Sequence, residues 1–378
     1  MKILKTYRAK LILLRNAKHM RLMAIARLML DTPLFETKTL AGEHEFSEEI
    51  LERISCAFIA ANVNNTKQAD IWTELADENN TFMNAMQNKD SATLQQIFVN
   101  LYQGSLLVGM GHTSNFLGKK FHKYFSFRCR DSILSLAEAL AIKGLTSNVQ
   151  TPLAEYMRTT NGDLLPYIQK IEAVLGHSIQ SPTIGKPPVA VIGDKLINPD
   201  FVRHAYVMYR VKQLGFSSNT KILEIGGGYG CVARFAYLQG FTDYTIVDLP
   251  YVNAIQAAFL SATIGESEVS CYGENDAAIK IRPCTQKDSL EEKYDLVINM
   301  DSLPEINLEE ALAYLNKIKS SAKFFLSINQ EAKKLHRENI SQHSVQELIE
   351  MVGGFKRIYR YPYWMEQGYA EELYEVVV

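Results

Sequence analysis

The stretch Lys221-Ile-Leu-Glu224-Ile-Gly226-Gly-Gly228-Tyr-Gly230-Cys231-Val-Ala-Arg-Phe-Ala-Tyr-Leu238 decides how this chain is read. A short apolar run of strand type enters a glycine-rich turn, and a helical pattern leaves it. Without a Cβ, the turn can bend sharply and bring its backbone close to a ligand. The first amides of the following helix have no partner inside that helix, and they suit a carboxylate or another anion. A dinucleotide turn needs G-x-G-x-x-G, but the residue three after Gly228 is Cys231 and the last glycine is Gly230, which disfavours a nicotinamide dinucleotide.

Working outward, strand-like and helical runs alternate through the C-terminal half. Strands are expected at Lys221–Ile225, Tyr244–Val247, Val269–Tyr272, Tyr294–Asn299, Phe324–Ile328, around Ile358–Tyr361 and around Tyr374–Val378. Helices are expected from about Cys231, Val252, Leu308 and Ser344. That alternation predicts an α/β domain with a mostly parallel sheet and helices on both faces, its ligand at the carboxyl ends of the strands. Upstream, Ile50, Ile54 and Phe58, then Leu94, Ile97 and Leu101, then Ile133, Leu136 and Leu140 recur at helical spacing, with glycine breaks around Gly109 to Phe116. The proline-rich stretch Ser181-Pro-Thr-Ile-Gly-Lys-Pro-Pro-Val189 reads as a linker or hairpin. The expected division is therefore a mainly helical domain over 1–180, a linker over 181–200 and the α/β domain over 201–378.

The chain has 378 residues, enough for two or three domains. Forty Lys+Arg against 42 Asp+Glu give a formal net charge of -2, which offers no general attraction to a phosphate backbone and argues against a nucleic-acid binder. Cys56, Cys129, Cys231, Cys271 and Cys284 are scattered and odd in number, which fits a reducing cytoplasm better than a disulfide framework or a zinc site. No apolar run is long enough to span a bilayer. The first thirty residues carry Lys2, Lys5, Arg8, Lys10, Arg15, Lys18, Arg21 and Arg27 with no acid before Asp31. Two readings compete there: a basic helix docked on its own domain, and peripheral contact with an anionic membrane surface. The helical region could also mediate a homodimer.

At the expected carboxyl edge, Asp248 closes the second strand, where a carboxylate can accept both hydroxyls of a ribose. The fourth strand leaves Asn299, Met300, Asp301, Ser302 and Glu305 at the same edge, and Glu274 follows the expected third strand. The Glu-x-Gly-x-Gly-x-Gly element resembles that of the class I S-adenosylmethionine-dependent methyltransferases. The resemblance implies a Rossmann-like, mostly parallel seven-stranded sheet. It also implies a turn Glu224, Gly226, Gly228, Gly230 that holds the methionine part of S-adenosylmethionine, with Glu224 near its amino group and S-adenosylhomocysteine as product. By the same resemblance Asp248 takes the ribose, Leu249 packs near the adenosine, Glu274 touches adenine, and Asn299 and Met300 lie beside the cofactor.

Val191-Ile-Gly-Asp-Lys195, Arg203-His204-Ala-Tyr206, Asn299 to Glu305 and Tyr363-Trp364-Met-Glu-Gln-Gly368-Tyr369 look like the sugar O-methyltransferase family over about residues 180 to 378. That family is associated with surface-polysaccharide biosynthesis, so a sugar or glycan acceptor follows from resemblance. Methylating an oxygen requires the hydroxyl to lose a proton, and His204 and Asp301 are the candidate bases, with His112 and His343 behind them. His204 reads equally well as a helix-packing residue. A divalent metal stays open, but only Asp301, Glu305 and His204 could converge, fewer ligands than a magnesium site needs. Trp364 and Tyr369 could stack on sugar faces, whereas the other late aromatics read as sheet packing. Two other functions stay open: O- or N-methylation of another small molecule or a peptide, and a cofactor-binding scaffold without turnover.

Overall fold

The computed structural model describes residues 33–40, 44–62, 79–107, 109–113, 122–145, 161–285, 291–331 and 343–377. The basic segment 1–30 lies outside them. The chain divides into two compact units: residues 1–40, 112–181 and 187–203 form the first, and residues 41–111, 182–186 and 204–378 the second. This differs from the expected succession of 1–180, a linker over 181–200 and 201–378. The reason lies in the helix Glu48–Asn62, which packs against the helix Pro250–Ile264 and so belongs with the sheet-bearing unit.

In the first unit, strands β1 (Glu36–Thr39), β2 (Pro188–Ile192) and β3 (Lys195–Ile197) form an antiparallel sheet in that order. The proline-rich stretch thus leads into a hairpin, to which β1 adds a third strand. The helices His122–Ala139 and Leu165–Leu175 belong to the same unit and contact each other. Its polar fastening includes the Arg130 guanidinium over the Phe35 ring at 4.8 Å and the Phe35 amide donating to Ser126 Oγ at 3.2 Å.

The second unit is built on eight strands: β4 (Ile222–Ile225), β5 (Tyr244–Asp248), β6 (Val269–Ser270), β7 (Ile279–Pro283), β8 (Tyr294–Met300), β9 (Ala322–Gln330), β10 (Phe355–Pro362) and β11 (Tyr369–Val376). Their order across the sheet is β10-β11-β9-β8-β4-β5-β7-β6. The run β9 to β6 is parallel, and β11 is antiparallel to both its neighbours. This is a Rossmann-like α/β sheet. Its count is eight because β7 adds to the seven stretches read from the sequence, and the two-residue strand β6 lies at one edge. The expected third strand at Val269–Tyr272 is this short piece, and the long strand in that place is β7, ten residues later.

Side chains alternate between the faces of the sheet. Leu223, Ile225, Val247 and Phe325 form one core with Leu315 and Ile318 of the helix Leu308–Ser321 and Leu348 and Ile349 of the helix Val345–Val352. That last helix starts at a capping box, in which Ser344 and Glu347 satisfy each other's backbone amides. The helix Pro250–Ile264 is buried at every position from Pro250 to Ser261. A helix apolar all round needs cover on more than one side. It has it, from β5 and β7 and from the helix Glu48–Asn62.

Candidate active site

The chain runs from β4 to β5 and β7 on one side, then returns to β8 and β9 on the other. Successive connections therefore diverge between β4 and β8, which opens a crevice at their carboxyl ends. The glycine turn leaves β4 at that point. Gly226 has φ of 72°, and a Cβ there would run into Ser302, 2.6 Å from its Cβ. Gly228, with φ of 53°, has no protein atom within 4 Å of the corresponding position. The turn is thus packed against protein at Gly226 and open at Gly228. Gln256, from the buried helix, fixes its shape by donating to the Gly228 carbonyl and to Asp248 Oδ2, both at 2.8 Å. Gly230 ends the turn as the residue preceding the helix Cys231–Leu238.

Two carboxyl groups border this turn. Glu224 is 1% exposed and accepts a hydrogen bond at 2.9 Å from the Tyr244 phenol on the adjacent strand. Burial pushes its carboxyl up to about 8, with the Tyr244 bond pulling against that shift and the charge of Asp248 adding to it. Asp248 is half-buried at the end of β5 and accepts the Leu249 amide at 2.8 Å as well as the Gln256 bond. Burial raises it to about 7, opposed by these donors and by the amides of Gly227 and Gly228.

Across the crevice, Asn299 is fully buried at the end of β8. It donates to the Ile225 carbonyl at 2.9 Å and accepts from Asn329 at 2.9 Å. It also bonds Ser302, the residue that lies against Gly226. Asn299 thus braces the start of the turn from beneath. Met300 is buried beside it. Asp301 adopts φ of 63°, a left-handed conformation that aspartate tolerates better than most residues, and its carboxylate accepts the Tyr369 phenol at 2.6 Å. Tyr369 begins β11, paired with Gln330 at the end of β9, so its ring spans a strand to reach Asp301. Glu305 accepts a bond from Gln330 at 3.4 Å.

His204 is 8% exposed, and its ring meets the edge of Tyr229, inside the glycine turn, at 6.1 Å between centroids. Tyr229 also packs edge-on against Tyr102 and Phe259. His112 belongs to the first unit, where Asp200 takes both its Nδ1 and its backbone amide at 2.7 Å. His343 lies next to the capping serine at the start of Val345–Val352. Leu249 is half-buried directly after Asp248. Glu274 is engaged by Arg53 through two bonds at 2.7 and 2.9 Å and by the Cys271 amide at 2.8 Å, and the Arg53 guanidinium holds its carboxyl below the usual range. With the long third strand at β7, the residue paired with Asp248 at the carboxyl edge is Pro283, and the amide of the next residue, Cys284, donates to the Asp248 carbonyl at 2.8 Å. Trp364 and Tyr369 are both half-buried. Among the described residues, no group of three or more His, Cys, Asp or Glu is placed to hold a metal ion, and no helix is long and apolar enough to cross a membrane.

Sequence reasoning missed Tyr244, Gln256, Tyr229 and Arg53. Gln256 alone left a signal, as a polar residue inside the apolar run Ala254-Ile-Gln256-Ala-Ala-Phe-Leu260.

No protein-family model matches the chain, and no curated protein matches it. Among solved structures, it is similar to magnesium protoporphyrin IX methyltransferase from Synechocystis with bound S-adenosylhomocysteine. There the identity is 16%, the match covers 49% of this chain and 90% of that one, and the TM-score is 0.36. It is likewise similar to a glycopeptide N-methyltransferase complexed with S-adenosylhomocysteine, at 10% identity over 46% of this chain and 89% of that one, with a TM-score of 0.36.

Proposed function

We propose that this protein transfers a methyl group from S-adenosylmethionine to a hydroxyl of a sugar or glycan intermediate. The observation that carries the reading is the glycine turn at the point where the sheet topology reverses. It is packed at Gly226, open at Gly228 and bordered by the carboxyl groups of Glu224 and Asp248. These residues fit the cofactor: acids for an ammonium group and for ribose hydroxyls, open space over backbone, and apolar Leu249 beside the acid. When bound, the cofactor supplies a methyl group on a sulfonium, which is intrinsically electrophilic.

The chain's own residues then have two tasks. Glu224, Gly228 and Asp248 bind and orient, and a rigid turn braced by Asn299, Ser302 and Gln256 keeps that orientation. Asp301, held by the Tyr369 phenol, accepts the proton that the acceptor hydroxyl loses, with His204 as the other candidate. The sugar assignment rests on the likeness of residues 180 to 378 to the sugar O-methyltransferase family and on Trp364 and Tyr369 as stacking rings.

The test is calorimetric titration with S-adenosylhomocysteine, using NAD as control and Asp248→Ala as variant. Micromolar binding that the variant loses is expected and would start an acceptor screen with nucleotide sugars and glycans. Binding of NAD instead, or of neither, overturns the reading.

A further inference from the structure

The two carboxyl groups both border the glycine turn, and among the described residues neither is ion-paired with a cation. Oε2 of Glu224 lies 3.0 Å from where a Cβ on Gly227 would stand, and Gln256 donates both to Asp248 Oδ2 and to the Gly228 carbonyl of the same turn. Among the described residues, the ionisable groups that act on the pair are themselves acids. The Tyr244 phenol of β5 faces Glu224, and the Cys284 thiol after β7 and the Tyr314 phenol of Leu308–Ser321 both feel the charge of Asp248. Among the described residues, neither carboxyl has a lysine, arginine or histidine as hydrogen-bond or ion-pair partner. Two neighbouring carboxyls in such surroundings retain a proton near neutral pH.

We propose that the glycine turn takes up the cationic group of its ligand in exchange for a proton from the Glu224–Asp248 pair. The inference rests on the cofactor reading above, in which the arriving cation is an ammonium group. A positive charge near the pair favours its ionised form, so the proton leaves for solvent as the ammonium enters, and the positive charge lost from the pair is replaced by that of the ammonium group. A ligand that brings no positive charge has nothing to exchange and finds a protonated acid. The turn therefore selects for cationic ligands by charge as well as by shape.

The test counts protons. S-adenosylhomocysteine is titrated calorimetrically into the full chain at matched pH in phosphate and in Tris, which differ in ionisation enthalpy, at several values from pH 6 to 8. Release of about one proton per ligand is expected at pH 7, with affinity rising toward tenfold per pH unit below it. In Glu224→Gln the release should fall to less than half of the wild-type value. Tyr244→Phe removes the donor that favours ionised Glu224, so release at pH 8 should increase, which gives a second reading if the glutamine variant folds poorly. Tight binding with no buffer dependence and no pH dependence overturns the exchange and leaves the cofactor reading in place. Absence of binding at every pH overturns both.

Discussion

Between the ordinary carboxyl range and pH 8, the unfolded chain releases a proton from Glu224 that the folded chain keeps. Stability contributed by this residue is thus fully present below about pH 4.5 and is lost as the pH rises to about 8. A neutral glutamine has no such dependence. Across pH 5 to 8, Glu224→Gln should gain on the wild type by a few kcal/mol in urea unfolding, and parallel pH profiles for the two proteins would show that Glu224 ionises normally. Glu224, Asp248 and Asn299 were legible because strand ends fix their position along the chain. Tyr244 and Gln256 were not, since each acts by reaching across from a different element. Arg53 reaches the turn Cys271–Glu274 from a helix more than two hundred residues earlier in the chain, a pairing that no local pattern records.

Strands and helices were legible where apolar residues ran without interruption, as in β4, β5 and β8. β7 escaped because Lys280 and Arg282 alternate with Ile279 and Ile281. Lys280 is nonetheless buried, ion-paired with Asp243, so its charge disguised a strand position covered on both faces. A comparable device holds β11. Glu371 is 3% exposed and bonded by Arg210 at 2.8 and 3.0 Å and by the Tyr359 phenol at 2.8 Å. Its partner lies on the helix Pro199–Gln213, so the pair ties that helix to the sheet. Removing only the cation strands a buried carboxylate. Arg210→Met should cost roughly 3 kcal/mol in denaturant unfolding at neutral pH, whereas the double variant with Glu371→Gln should recover much of the loss. Equal losses in single and double variants would mean that the arginine acts through packing alone.

For the molecule as a whole, the division into units was the least legible feature, because neither unit is one continuous piece of chain. Helical periodicity announces the helix Glu48–Asn62 but says nothing of the helix it packs on. If the cofactor reading holds, S-adenosylhomocysteine at a hundred times its dissociation constant should stabilise the second unit by about 2.7 kcal/mol. Hydrogen-exchange protection should then appear in 224–230, 248–256 and 299–303 and leave β1 to β3 unchanged. Protection spread equally over both units would place the ligand elsewhere.

Among the described residues, the eight-stranded sheet ends in two rims without a further strand, and each is finished differently. On one side, β6 has only two residues to offer. On the other, β10 carries Lys356, Arg357 and Arg360, shifts register between Arg357 and Tyr359, and ends in Pro362. A strand from a neighbouring molecule would meet too short a template at the first rim and, at the second, a kinked one that ends in proline and carries ion-paired side chains. Both rims are thus poor templates for a further strand, and so for the strand-on-strand stacking that begins a fibril.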